Sequence, residues 1–147
     1  MASMVPLISS DVAGPLGAIH LPRFWSKVLL SAKGMLHEEY DECGTGFDQM
    51  TLDGLKLDRE ATLSYLRNSL PTYREFEAWV LTQRGGTISS AEIEAHNQAI
   101  RDFIHPDEDR KPILSFYGIE DDGSILDAVN LNNLDDWTEF HRQLTNS

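Results

Sequence analysis

A chain of 147 residues with 41% hydrophobic content, three tryptophans and one cysteine is long enough for one domain with its own core, and too apolar for disorder. The formal net charge of -12 argues against binding nucleic acid or an anionic membrane, because both would repel it. The lone Cys43 excludes an internal disulfide and a four-cysteine zinc site, and the simplest setting for it is a reducing cytoplasm. No apolar run approaches the roughly 20 residues of a membrane span, and the opening MASMVPLISSDVAGPLGAIHL lacks the cationic start and apolar core of a secretory signal.

Residues 1–17 carry Pro6, Gly14, Pro15 and Gly17 without periodicity, which predicts a flexible arm. Residues 18–147 then read as one helical domain. The first helix should begin near Leu21, since Pro22 suits the first helical position, where its missing N–H costs nothing. Phe24, Trp25, Val28, Leu29 and Ala32 recur at helical spacing, and Gly34 supplies the stop. Residues 35–47 look irregular, and Phe47–Leu52 predicts a short helix closed by Gly54. Asp58 should cap a helix from Arg59 to about Asn68, with Leu63, Leu66 and Leu70 as its buried stripe and Pro71 as its end. Thr72 with Glu75 forms a capping box for a helix carrying Phe76, Trp79 and Val80 up to Gly85-Gly86. Ser89 with Glu92 repeats the device for a helix through Ile93 and Ile100, stopped by Pro106.

The last third is less periodic. Residues 113–117 read either as the end of a helix containing Pro112 or as a short strand. Ser124 and Asp127 can cap a helix through Val129, after which Asn133 or Asp135 can cap a last one carrying Trp137, Phe140 and Leu144. The whole predicts a mainly α, single-domain helical bundle. Acidic runs at 107–109, 120–122 and 135–136 read as solvated helix starts and turns, and none has the spacing of a calcium loop.

The candidate chemistry concentrates between Ile19 and Asp48. His37-Glu38-Glu39-Tyr40-Asp41 starts like a zinc-protease motif, but the second histidine is an aspartate, so no metal is expected. Cys43 has acidic neighbours that oppose a thiolate. Arg23 and Lys27 stand four apart on one helical face of an acidic protein, and such a pair suits a carboxylate or phosphate. Tyr40 and Asp48 are the acid/base groups nearest to them in the sequence.

These residues carry a resemblance. Leu21-Pro22-Arg23 with Lys27, then Glu39-Tyr40, Cys43 and Asp48, Gly54, Glu77-Ala78-Trp79, and Glu92-Ile93 with Asn97 together resemble the bacterial domain of unknown function family number 5069, over about Gly17 to Phe103. The resemblance marks Arg23, Lys27, Tyr40, Asp48, Trp79 and Asn97. The chain departs from the family pattern at His96, where that pattern has Trp, and in the length of the 40–48 segment.

The expectation is therefore a small-molecule-binding protein, or an enzyme that needs no cofactor, of cyclase, isomerase, dehydratase or hydrolase type. Its ligand would be a small anionic organic molecule held by Arg23 and Lys27, with Trp79 and Asn97 as further contacts and Asp48 and Tyr40 as the catalytic pair. The alternative is an interaction module that uses an acidic C-terminal surface around Asp121, Asp122, Asp135 and Asp136. Either form allows a homodimer through the terminal helices and the arm.

Overall fold

The structure, a computed structural model, describes residues 3–123 and 125–145. Seven helices are present among them: α1 (Leu21–Ala32), α2 (Phe47–Gly54), α3 (Arg59–Ser69), α4 (Tyr73–Gln83), α5 (Ser90–Asp102), α6 (Asp107–Phe116) and α7 (Ala128–Thr145). Extended pairing among the described residues is limited to isolated bridges, at Met4–Leu36, Ala13–Ile19 and Ile104–Asp127. The architecture is the mainly α single-domain bundle that the periodicity predicts.

Local chemistry accounts for the helix starts. Pro22 lies in the first turn of α1. The Asp58 carboxylate accepts from the Ala61 N–H at 2.8 Å, and the Thr72–Glu75 capping box closes in both directions. Ser89 accepts from the Glu92 N–H at 3.2 Å.

α1 packs on α3 and α4, α2 on α5, and α5 on α7. Phe24 and Val28 of α1 are fully buried with Leu52, Leu55, Leu66, Phe76 and Val80 in the main core. A smaller apolar cluster of Ile19, Phe47, Ile100, Ala128 and Val129 ties α7 to α2 and α5. α1 therefore turns one face to the main core and offers its Arg23–Lys27 face to the side where α7 arrives.

The structure changes three local expectations and decides between the alternatives of a fourth. The arm does not hang free. Val5, Pro6 and Ser10 are buried, the Met4 carbonyl accepts from the His37 N–H at 3.0 Å, and the Leu16 N–H reaches the Glu77 carboxylate at 3.1 Å. Residues 113–116 are helical rather than a strand, with Pro112 inside α6; proline has no N–H to give a ladder, and among the described residues no neighbouring strand is there to receive one.

The two helices expected after residue 124 are one. Asp127 caps α7 through the Asn130 N–H at 3.1 Å, while Asp135 and Asp136 turn their carboxylates to tertiary partners, leaving no break; the proposed cap at Ser124 lies outside the described residues. Nor is the last apolar stripe core, since Trp137 is 63% and Leu144 68% exposed.

One contact positions the site from behind. A Cβ at Gly54 would stand 2.8 Å from His96 Nδ1 and 3.2 Å from its Cβ, so the glycine is what admits the His96 ring between α2 and α5. Gly54→Ala should lower stability by about 1–3 kcal/mol through overpacking, less the small gain in helix propensity. In urea or thermal unfolding, the loss should shrink when His96→Ala is also present.

Candidate functional site

The site begins at the turn into α1. His20, its N-cap residue, has φ 68°, a left-handed backbone that a non-glycine residue adopts only at a cost. α5 holds the turn in place. The Ile19 N–H donates to Asn97 Oδ1 at 2.9 Å, Asn97 Nδ2 donates to the Gly17 carbonyl at 2.8 Å, and His96 Nε2 donates to the Ile19 carbonyl at 2.9 Å. Asn97 and His96 thus grip the backbone on both sides of the residue before His20.

The strained turn aims the His20 ring at α2. His20 Nε2 meets Asp48 Oδ1 at 2.7 Å, and Nδ1 meets Ser10 Oγ at 3.0 Å. Burial lowers the His20 pKa despite the neighbouring Asp48 charge. The tautomer consistent with both bonds is neutral, with Nε2–H donating to Asp48 and Ser10 O–H donating to Nδ1. The Ser10–His20–Asp48 series has the residue types of a hydrolytic triad, but Ser10 is fully buried and no substrate reaches it.

Asp48 lies in the first turn of α2, where the helix dipole favours a carboxylate. Besides His20 it accepts from Lys27 Nζ at 2.5 Å and from the Gly44 N–H at 2.8 Å. Burial alone would raise its pKa, but the hydrogen bond from His20 and the Lys27 charge outweigh it, so the carboxyl is held well below the usual range. Asp48 is therefore a permanent anion and a weak base.

One turn earlier on α1, Arg23 makes a two-pronged pair with Asp136 of α7, Nη1 to Oδ2 at 2.6 Å and Nη2 to Oδ1 at 2.9 Å. Nη1 also donates to the Ile8 carbonyl at 2.8 Å. The Tyr40 hydroxyl donates to Asp136 Oδ1 at 2.8 Å. Burial and the Asp136 charge raise the Tyr40 pKa, so the phenol keeps its proton. Tyr40 and Asp48 consequently belong to two neighbouring networks and are not hydrogen-bonded to each other.

Both networks open on one cleft of about 290 Å³ between α1, the 39–46 loop, α2 and α7. Arg23, Lys27, Tyr40 and Asp48 all line it, with Phe47 and Phe103 as apolar wall. Trp79 and Asn97 do not. Trp79 stacks on Tyr65 with ring centroids 4.5 Å apart against the main core, and Asn97 acts on the His20 turn. His20, Asp135 and Asp136 also line the cleft, though the sequence marks the two aspartates only as a helix start and an acidic surface. Asp136 lies 113 residues from its partner Arg23, and His20 shows only as a histidine where a capping Ser, Thr or Asp would be usual.

The two cations differ in what they leave free. Arg23 is committed to Asp136 and Ile8. Lys27 is nine-tenths buried, and its ammonium has three donors but one acceptor among the described residues, Asp48. The open anion subsite expected from both cations thus contracts to Lys27. Cys43 has its thiol pushed up to about 11 by burial and by Asp48, which keeps it protonated. Among the described residues no group of three or more His, Cys, Asp or Glu is placed to hold a metal ion, and no helix is long and apolar enough to cross a membrane. Three of the acidic residues expected on a C-terminal surface have internal partners: Asp121 pairs with Arg110, Asp135 accepts from the Tyr117 hydroxyl at 2.5 Å, and Asp136 holds Arg23.

No family model, curated protein or solved structure matches the chain.

The networks set how stability responds to acid. His20, with its folded pKa lowered from 6.5, is neutral in the fold and readily protonated once unfolded. Asp48, lowered from 3.8, is an anion in the fold and takes up a proton in the unfolded chain at higher pH. In both cases the unfolded state binds more protons, so stability rises with pH. Stability measured by urea unfolding should fall first below about pH 6.5 and again below about pH 4, and Asp48→Asn should flatten the second fall. Asp136→Ala, which strands Arg23 in a buried position, should cost about 3–5 kcal/mol.

Proposed function

We propose that the protein binds a small organic molecule in this cleft through an oxygen acceptor, a carboxylate or carbonyl, placed against Lys27. The observation that carries the reading is the buried Lys27 ammonium, with two donors left for whatever enters the cleft. The aromatic walls suit the apolar part of such a ligand, and the volume suits a small one. The surrounding ion pairs prearrange Lys27 at the cleft and hold it against Asp48.

In its enzymatic form, this reading makes Lys27 the group that polarises the ligand oxygen. Tyr40, whose O–H is given to Asp136, lines the wall as a neutral phenol, and Asp48 is the fixed anion that balances the ammonium. A carboxylate as acidic as Asp48 abstracts protons poorly, so the arrangement favours isomerisation, dehydration, cyclisation or hydrolysis steps that develop negative charge on the ligand oxygen. The chain is on this reading a relative of family 5069, and four of the residues that carry the resemblance line the one cleft.

Thermal unfolding of the full chain with acetate, pyruvate, succinate and benzoate tests the proposal. At a concentration of 100 times Kd, a bound acid should stabilise the fold by about 2.7 kcal/mol. Lys27→Met should abolish that stabilisation, while Tyr40→Phe should keep it. An identical response from the parent chain and Lys27→Met would refute the reading, and so would no response to any acid.

A further inference from the structure

The charge around the cleft is lopsided. Five carboxylates line it against two cations, and both cations are paired, Arg23 with Asp136 and Lys27 with Asp48. His20 is neutral. That leaves Asp41, Glu39 and Asp135 at the opening. The Asp41 and Glu39 side chains are exposed and carry no hydrogen bond or ion pair among the described residues, while Glu39 and Asp135 also share a neighbouring groove with Arg142. Asp135 is held by the Tyr117 hydroxyl through Oδ1 and makes no ion pair among the described residues.

A plain anion entering this cleft would gain the spare donors of Lys27 but pass three carboxylates that no ion pair engages to reach them. A plain cation would be drawn to the opening but leave Lys27 without an acceptor. A molecule with both groups satisfies both ends. Resting on the Lys27 reading, we infer that the ligand is a small zwitterion of amino-acid chemistry. Its carboxylate accepts from Lys27 Nζ, its ammonium faces Asp41 and Asp135, and its apolar body lies against Phe47 and Phe103. The acceptor side of the ligand is thus set by a buried ammonium with two of its three donors free, and the cationic side by the charge left over at the opening.

A matched series on the full chain separates this class from the broader reading: leucine, 4-methylpentanoate, which lacks the ammonium, and 3-methylbutylamine, which lacks the carboxylate. Calorimetric titration should give leucine an affinity at least tenfold above each fragment. In the doubly substituted Asp41→Asn, Asp135→Asn chain, leucine should fall about tenfold, to the level of 4-methylpentanoate, whose own affinity should stay level or rise. Because Asp135 also holds Tyr117, the single Asp41→Asn chain is measured beside it and should show a smaller loss in the same direction.

If 4-methylpentanoate binds as tightly as leucine, in a way that needs Lys27 and ignores both aspartates, the zwitterion is wrong and the small-acid reading stands. If the amine alone binds best and Lys27→Met leaves it unchanged, both fall. Failure of all three probes, with the amino acids alanine, serine, phenylalanine and glutamate also silent, overturns both as well.

Discussion

The ion pairs between α1 and its surroundings are the constraint on which the rest of this structure depends. Arg23 and Lys27 sit one helical turn apart on a helix whose other face is fully buried, so neither can swing out to water without uprooting α1. Each must meet a carboxylate where it stands. Asp48 at the start of α2 and Asp136 on α7 supply them, and in doing so tie two distant parts of the chain to one helix. Pairs of this kind are weak evidence of net stability, because desolvation offsets most of the attraction. What they determine is relative placement, since a buried charge tolerates no partner that is shifted by an ångström or two.

The amino-terminal segment and α5 serve the same region from opposite sides. Ser10 and Ile8 reach in to His20 and Arg23, while Asn97 and His96 hold the backbone of residues 17–19. The left-handed His20 backbone is a strained conformation that persists because this surrounding shell leaves it no alternative. The ring then has its two nitrogens occupied, which fixes its tautomer and, through it, the orientation of Asp48. The aromatic wall is of independent origin, coming from the smaller apolar cluster that joins α2, α5 and α7.

Much of the fold was legible in the sequence because its signals are local. Capping residues at Asp58, Thr72 and Ser89 satisfy N–H groups within three residues, and Pro22, Gly34 and Gly85-Gly86 act on the backbone where they stand. The weaker expectations were those where no local signal decides. Pro112 disfavours helix and strand alike, and Asn133 and Asp135 look like caps until their side chains are seen to have better partners far along the chain.

The candidate site divides in the same way. Arg23, Lys27, Tyr40 and Asp48 were visible because residue type and helical spacing single them out. The sequence by itself determined the five helices between Leu21 and Asp102, the shared face of the two cations, and the absence of a paired-histidine metal motif. Only the tertiary structure decided that Arg23 is bound to Asp136, that Lys27 keeps donors in reserve, that His20 and Ser10 join Asp48, and that Trp137 and Leu144 face outward. The physical reason is that charge compensation and burial are properties of neighbours in space, and the deciding neighbours here lie from 10 to 113 residues away.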